Sequence, residues 1–395
     1  MKEKEKGVYS CVTLSDIHFG AQEPEKLYNE LKEGVLKYIY ELPVIDLVTI
    51  NGDFYDAKIS LDSKHAKFSM LFMKVLLELS RDKNFKVRMI KGTKSHDNDQ
   101  LKVLEMINKD NIYDFRIIYT IESEMLFPDL KVLYIPEEYV EDAEVYYKPY
   151  IENKNYDLIF FHGMIAEAMY IGKHQESEVT MTKAPVFELT YLTDACYGPV
   201  IAGHIHTPMN ISEKFYYTGS YSNWMFGDGE NEKGFYHLLY TPIDKTYDMT
   251  FIQNKLASKY ETITLDVDNI KEDIKRVTDL LFLLENTARE ERNVDYLRFK
   301  ITIPDDYNNT QLLINTCKEL YARNKNVKLV FNNVNRTKQE KEIKEKINLL
   351  MDKYGFIFDK TISYENKIML FIKEKYNREI SEEFIRSLIY DTIKK

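Results

Sequence analysis

The amino-terminal part of the chain, up to about residue 240, alternates short apolar runs with amphipathic stretches. Two amphipathic stretches, Glu25–Tyr40 and Ser63–Leu79, have the spacing of helices that bury one face. The apolar runs predict buried strands at Val8–Leu14, Leu47–Ile50, Lys86–Ile90, Lys131–Ile135, Asp157–Phe161 and Val200–Ala202. Alternation of this kind is typical of a layered α/β architecture.

From about Phe251 onward the pattern changes to that of a smaller α/β unit. Its predicted strands are Thr262–Val267, Asp295–Ile303 and Val327–Phe331, and its predicted helices are Asn269–Ala288, Gln311–Arg323 and Thr337–Tyr354. The last segment is also predicted to be helical, with Ser381 as N-cap and an apolar stripe within Phe384–Ile389. We therefore expect three parts, at residues 1–254, 255–345 and 346–395.

A polar cluster follows five of the predicted strands at the point where each strand ends. The clusters are Ser15-Asp16-Ile17-His18, Asn51-Gly52-Asp53, Gly92 to Asp97, His162-Gly163 and Gly203-His204-Ile205-His206. Ligands of open α/β sheets bind outside the carboxyl ends of the strands, so we expect the clusters to converge on one edge. Side chains two positions apart, as in Asp16-Ile17-His18, point to the same side of an extended chain.

The composition of these clusters predicts metal binding. Asp16 and Asp53 accompany five of the eight histidines of the chain, namely His18, His96, His162, His204 and His206. Mixed imidazole and carboxylate donors suit Mn, Fe or Zn better than Mg or Ca. The set is large enough for two ions, which can together clamp the attacking and leaving oxygens of a phosphoryl displacement. Asp53, on its tight Gly52 turn, is the candidate for a bridging carboxylate.

Charge and composition exclude several classes of protein. With 54 basic and 64 acidic residues, the formal net charge of the 395-residue chain is −10, which argues against coating nucleic acid by bulk charge. Residues Met1–Lys6 alternate Lys and Glu, so no signal peptide is expected, and no apolar run of about 18 residues predicts a membrane span. Cys11, Cys196 and Cys317 are scattered, as expected in a reducing compartment.

The ordered series D-x-H, G-D, H-D, H-G and G-H-x-H resembles that of the calcineurin-like metallophosphoesterase superfamily. Within it the chain most resembles the SbcD-type DNA double-strand-break nucleases. Three features favour that group: the run Gly52-Asp53-Phe54-Tyr55-Asp56 before a helix, the later segments Tyr217–Ser220 and Lys233–Phe235, and a small α/β domain after them. The resemblance implies a layered α/β domain of two β-sheets flanked by helices, followed by a small α/β capping domain and C-terminal helices.

The resemblance also implies roles for individual residues and a cofactor. The first metal would be held by Asp16, His18, Asp53 and His206, with Asp53 as bridge, and the second by His162, His204 and one further ligand. His96 would stabilise the phosphate or protonate the leaving oxygen, and Asp97 would orient His96. Two divalent ions are implied, with Mn²⁺ foremost and Mg²⁺, Fe²⁺ or Zn²⁺ as alternatives.

One motif departs from the family. Its third motif reads G-N-H followed by an acid, and the Asn binds the second metal, whereas this chain reads Gly92-Thr93-Lys94-Ser95-His96-Asp97. Ser95 stands where the Asn is expected, two residues further from Gly92. Three interpretations follow: Ser95 or a backbone carbonyl is a weaker ligand, a water fills the position, or the second metal binds poorly and activity is impaired. We expect retained activity, since the other ligand positions keep their residue types.

By this resemblance, the protein is expected to be a Mn-dependent exonuclease on duplex ends and an endonuclease on single strands. It would be the nuclease subunit that works with an SMC-like ATPase of the SbcC type in DNA repair, recombination or replication, in the cytoplasm of a bacterial or phage-infected cell. Residues 346–395, with the apolar stripe in Phe384–Ile389, are the candidate for docking the ATPase, and simple packing on the capping domain is the alternative. A homodimer would use helices such as Glu25–Tyr40 and Ser63–Leu79, whose apolar faces are equally explained by packing on the sheet. The alternatives are a phosphatase or small-molecule phosphodiesterase on the same fold, and a catalytically weakened DNA-binding scaffold.

Overall fold

The structure is a computed structural model that describes most of the chain. Apart from single and paired positions after residue 278, the described residues are 7–170, 184–226, 232–266, 295–303, 326–333 and 362–376. The predicted helices Asn269–Ala288, Gln311–Arg323 and Thr337–Tyr354 and the predicted stripe Phe384–Ile389 lie almost wholly outside the described residues. The chain divides into two compact units, one of residues 1–262 with 283–298 and the other of residues 263–282 with 299–395.

Two six-stranded mixed sheets form the first unit. The first sheet has the order β14 (Thr246–Gln253), β13 (Gly234–Thr241), β1 (Tyr9–Leu14), β2 (Leu47–Asn51), β3 (Lys86–Ile90) and β4 (Phe115–Ile118). The second has the order β11 (Met209–Ser212), β12 (Phe215–Tyr217), β10 (Val200–Gly203), β7 (Leu158–His162), β6 (Leu130–Ile135) and β5 (Glu122–Phe127). Strands β1 to β4 run parallel, as do β12, β10, β7 and β6.

Helices and short strands complete the described secondary structure. The helical segments are α1 (Pro24–Leu31), a π-helical segment (Lys32–Leu36), α2 (Lys37–Glu41), α3 (Lys64–Lys83), α4 (Lys102–Glu105), a 3₁₀ turn (Met106–Asn108), α5 (Ala143–Ile151), a second 3₁₀ turn (Glu167–Tyr170), α6 (Leu189–Thr193) and a helix at Tyr364–Tyr376. Strands β8 (Met164–Ile165) and β9 (Val186–Phe187) pair in parallel, and β15 (Tyr260–Asp266), β16 (Tyr296–Ile303) and β17 (Val327–Asn333) form a further sheet in that order. None of the helices within the described ranges has the length and apolarity to cross a membrane.

The alternation of side chains along the strands builds three apolar layers in the first unit. Val12 on β1 packs in a cluster with residues of α1 and α3, whereas its neighbour Cys11 packs in the cluster between the two sheets. On β7, Ile159 packs with residues of α5 and α6, and Phe160 joins the cluster between the sheets. The order is therefore helices, sheet, sheet, helices, and the layered α/β fold predicted from the sequence is confirmed.

A hydrogen bond from a distant side chain interrupts the predicted helix at Glu25–Tyr40. The hydroxyl of Tyr221 donates to the backbone oxygen of Glu30 at 2.8 Å, and a π-helical segment, Lys32–Leu36, follows. A Cβ atom on Gly34 would lie 2.3 Å from this hydroxyl, so only glycine leaves room for it. The sequence pattern could not indicate this segment, because its cause lies almost two hundred residues further along the chain.

A buried arginine forms hydrogen bonds between the two sheets. Arg88 on β3 is 1 % exposed, and its Nε and Nη2 donate to the two carboxylate oxygens of Glu124 on β5 at 2.9 and 2.8 Å. Its Nη1 lies 2.8 Å from a carboxylate oxygen of Asp114. Burial would raise the pKa of Glu124, but the Arg88 guanidinium outweighs burial and lowers that pKa. Lys86 and Arg88 together lower the pKa of Asp114 in the same way.

We expect Arg88→Met to lower the free energy of unfolding by about 3–5 kcal/mol, because Glu124 then loses its buried cation. The difference in free energy of unfolding from the wild type, measured by chemical denaturation, should have its largest value at neutral pH. It should shrink as the pH falls below about 4 through the depressed pKa values of the two carboxyls. Arg81→Met is the control, since Arg81 pairs with Asp82 on the surface; an equal loss in both variants would contradict the prediction.

Candidate metal centre

The five polar clusters meet where the carboxyl ends of strands from both sheets come together. Strands β1, β2 and β3 of the first sheet and strands β7 and β10 of the second sheet each lead into one of the clusters. The backbone N–H of His204, after β10, donates to both carboxylate oxygens of Asp16, after β1, at 3.1 Å. The convergence predicted from the sequence is therefore present, but it joins two stacked sheets instead of one sheet edge.

Asp16, His18 and His206 form a first group of possible ligands, with one donor atom from each within 4.8 Å of the others. His18 Nδ1 faces a carboxylate oxygen of Asp56 at 3.4 Å. His18 Nε2 is thereby turned inward, 3.9 Å from Asp16 Oδ1 and 4.0 Å from Asp53 Oδ2. At these distances Asp56 and the two inner carboxylates surround His18 without a hydrogen bond to either ring nitrogen.

Asp53, His162 and His204 form a second group on the same criterion. His162 Nδ1 donates to the backbone oxygen of Asn51 at 2.7 Å, which turns Nε2 toward Asp53 Oδ2 at 3.4 Å. Asp53 Oδ2 therefore lies near both His18 Nε2 of the first group and His162 Nε2 of the second. This is the position that a bridging carboxylate requires.

The buried charges of the site are strongly coupled. Burial would raise the pKa of Asp53, but the neighbouring His162 outweighs burial and holds that pKa well below its usual range. Burial would lower the pKa of His162, whereas Asp53 raises it to about 10. Burial and the His162 charge lower the pKa of His204 to about 4.

Four of the possible ligands have a left-handed backbone. The φ angles of Asp16, His18 and Asp53 are 50°, 53° and 49°, and that of His204 is 96°. Residues other than glycine adopt these φ angles at a cost of about 1–3 kcal/mol each, and such residues concentrate at functional sites. Backbone hydrogen bonds hold the turns, including His18 N–H to Asp53 O at 3.1 Å. The sequence offered no sign of this strain.

His96 lies beside the first group, next to His18 and Asp56. Its Nδ1 donates to the backbone oxygen of Asp56, and His96 forms a third group of possible ligands with His18 and Asp56 on the same criterion. Asp97 does not make the contact with His96 that the resemblance implied. Its two carboxylate oxygens accept from the N–H groups of Gly92 and Tyr55, at 2.7 and 3.1 Å, and thus hold the loop. Burial and the nearby Asp53 raise the pKa of Asp97 to about 6.

Thr93, and not Ser95, lies with the second group of ligands. The Ser95 side chain is exposed. Thr93 Oγ1 lies 3.2 Å from Asp53 Oδ2 and 3.4 Å from both His162 Nε2 and a carboxylate oxygen of Glu137. Thr93 directly follows Gly92, as the Asn of the family motif does, so aligning the motif on its glycine could have found it.

Two further residues were not foreseen. Glu137, just after β6, is 4 % exposed and faces the second group. Trp224, the one tryptophan of the chain, has its ring centroid 4.6 Å from that of His18 and 5.0 Å from that of His206. The sequence carried no pattern that linked either residue to the five clusters.

The donor set fits divalent cations. Both ring nitrogens of His204 and both of His18 are buried without a hydrogen-bond partner among the described residues. Buried polar atoms are almost always bonded, and metal ligands are a frequent reason for exceptions. Imidazoles and carboxylates together suit Mn²⁺, Fe²⁺ or Zn²⁺.

Comparison with known proteins finds distant similarity to one curated protein. The SbcD subunit of the nuclease SbcCD from Staphylococcus epidermidis is 22 % identical over 276 residues, which span 65 % of this chain and 68 % of that protein. No protein-family model matches the chain. Among solved structures, TT1561 of Thermus thermophilus is 12 % identical, with a TM-score of 0.33 over 62 % of this chain and 99 % of that one. A second solved chain is 10 % identical, with a TM-score of 0.34 over the same shares.

Proposed function

We propose that this protein is a metal-dependent DNA nuclease, a hydrolase of phosphodiester bonds that uses two divalent ions. The observation that supports this most directly is the position of Asp53, whose Oδ2 lies 4.0 Å from His18 Nε2 and 3.4 Å from His162 Nε2. Two groups of buried ligands that share one carboxylate are suited to a pair of ions a few ångströms apart. The distant similarity to a subunit of a nuclease agrees with the proposal.

In this proposal each residue has one task. Asp16, His18 and His206 hold one ion, His162 and His204 hold the other, and Asp53 contacts both. Bound there, the ions would supply charge stabilisation for the phosphate and lower the pKa of water.

His96 acts on the substrate and not on the ions. The Asp56 carbonyl fixes its Nδ1, so that Nε2 can donate to a phosphate oxygen or to the departing sugar oxygen. Asp97 serves indirectly, by holding the loop that carries His96.

The proposed substrates are duplex ends and single strands of DNA, with Mn²⁺ as the preferred ion. The proposed partner is an SMC-like ATPase of the SbcC type, which fits a relative named as one subunit of a larger nuclease. Residues 255–345 would position DNA, and residues 346–395 would dock the ATPase; much of both segments lies outside the described residues. The setting would be the cytoplasm of a bacterial or phage-infected cell.

Cleavage of linear duplex and single-stranded DNA, measured with Mn²⁺, with Mg²⁺ and with a chelator, tests the proposal. We expect Mn-dependent cleavage, and we expect His96→Ala to slow it about 10²–10⁴-fold while leaving Mn²⁺ binding intact. His65→Ala on α3 is the control, since His65 belongs to none of the ligand groups. Cleavage of small phosphate esters with no action on DNA would favour a phosphatase, and a chain that binds no Mn²⁺ would contradict the proposal.

A further inference from the structure

A buried carboxylate that no family motif accounts for lies against the second group of ligands. Glu137 follows β6 after one proline, and β6 runs parallel to β7 with Ile135 paired to Phe161, the residue before His162. The backbone N–H of Glu137 also approaches the backbone oxygen of Lys91, just after β3, at 3.4 Å. Glu137 therefore lies at the same end of the sheets as His162 at the end of β7 and the loop that follows β3.

The contacts of Glu137 are those of a metal ligand more than those of a structural carboxylate. One oxygen, Oε2, lies 3.4 Å from His204 Nδ1 and 3.4 Å from Thr93 Oγ1. The other, Oε1, is buried without a hydrogen-bond partner among the described residues, although Glu137 is only 4 % exposed. The charge of His162 and the hydroxyls of Tyr139 and Thr93 offset part of the cost of burying this carboxylate, whereas Asp53 adds a second negative charge nearby. A cation bound at Oε1 or Oε2 would offset the rest.

The spacing to His204 agrees, while Glu137 lies outside the group that joins Asp53, His162 and His204 within 4.8 Å. Two neighbouring donor atoms that bind one ion at about 2.1 Å lie about 3.0 Å apart in octahedral and about 3.4 Å apart in tetrahedral geometry. The distance is 3.4 Å between Glu137 Oε2 and His204 Nδ1 and again 3.4 Å between Asp53 Oδ2 and His162 Nε2. No hydrogen bond joins His204 Nδ1 to the carboxylate at this distance, so Glu137 does not simply orient the ring.

We propose that Glu137 is a protein ligand of the second metal and takes the place of the amide that the family motif supplies from the loop after β3. This chain has Thr93 at that place, and a threonine side chain carries only a neutral hydroxyl in place of the amide oxygen. The carboxylate from β6 restores the missing donor and adds a negative charge. The inference rests on the proposed function, because it completes the second of the two proposed metal sites.

Mn²⁺ binding by the full chain tests the inference without reference to activity. Calorimetric titration with Mn²⁺ gives the number of ions bound, and electron paramagnetic resonance separates a spin-coupled pair of Mn²⁺ ions from a single ion. We expect two ions and a coupled signal for the wild type. Glu137→Leu should bind one ion with an uncoupled signal, and Glu137→Gln should bind the second ion about 10–100-fold more weakly.

Glu138→Gln is the matched control, because its carboxylate accepts from Ile121 N–H and the Tyr146 hydroxyl, away from the site. It should retain both ions. Glutamine at 137 keeps an oxygen that could accept from His204, so wild-type binding by Glu137→Gln would mean that Glu137 only positions the ring and would overturn the inference. Wild-type binding by Glu137→Leu would overturn it too. If either Glu137 variant binds Mn²⁺ as the wild type does and the wild type cleaves DNA, the inference is wrong but the proposed function stands. If the wild type binds fewer than two ions, both the inference and the two-metal proposal are wrong.

Discussion

Asp53→Asn is expected to lower Mn-dependent DNA cleavage at least about 10³-fold. Asp53 Oδ2 is the donor that lies near ligands of both groups, so the amide would leave both proposed ions short of one negative charge. The loss should appear in metal binding as well as in rate, which distinguishes Asp53 from His96. Rates on linear DNA and Mn²⁺ titration of the same preparation check the two parts together.

The change at Asp53 is nearly isosteric, so the fold should survive it. Asp53 accepts a hydrogen bond from the Thr93 N–H, and the asparagine oxygen can still accept it. Asp244→Asn, in an exposed turn, is the control for the loss of one negative charge and should cleave DNA as the wild type does. An Asp53→Asn protein that retains both ions and the wild-type rate would show that Asp53 is no bridge.

Gly52→Ala is expected to abolish cleavage and to lower the free energy of unfolding by about 2–4 kcal/mol. Gly52 has φ +85°, and a Cβ atom there would lie 2.1 Å from His162 Nδ1 and 2.8 Å from the Cα of Gly92. Neither neighbour can move cheaply, because His162 is held by its bond to the Asn51 carbonyl. The methyl group would therefore displace a proposed ligand of the second metal.

Gly7→Ala separates the two causes of this loss. Gly7 has nearly the same φ angle, +88°, but the nearest atom to its Cβ would be a methyl carbon of Ile243 at 3.9 Å. Its alanine variant should show only the dihedral cost, about 1 kcal/mol, and full cleavage. Chemical denaturation and DNA cleavage of both variants, side by side, check this. Equal losses in the two variants would mean that the backbone angle alone matters at Gly52.

The sequence indicated the layers and the position of the site, because both follow from local patterns. Strand β3 was predicted at Lys86–Ile90, as observed, and helix α3 was predicted from Ser63, whose hydroxyl caps it by accepting from Ala66 N–H. Short apolar runs predicted the buried strands β1 and β7, whose carboxyl ends lead into Asp16 and His162. Such patterns arise from neighbours within a few residues, and they can be read without knowledge of the tertiary structure.

Features that depend on distant contacts could not be predicted in this way. Strands β4 and β5 were not predicted from the sequence. In β5 the alternation of polar and apolar residues is weak. Ser95 was predicted as the ligand because it directly precedes His96, whereas in the structure the side chain of Thr93 lies beside Asp53. Glu137 approaches the site only because β6 lies beside β7 in the second sheet, a pairing that no local pattern encodes.

The place of Trp224 has a practical consequence. It is the one tryptophan among 395 residues, and its indole lies against the rings of His18 and His206. The fluorescence of the whole protein, excited where tyrosine does not absorb, therefore comes from a single ring at the edge of the first proposed metal site. Paramagnetic ions such as Mn²⁺ quench emission at short range, so the protein carries its own optical reporter for the occupancy of that site.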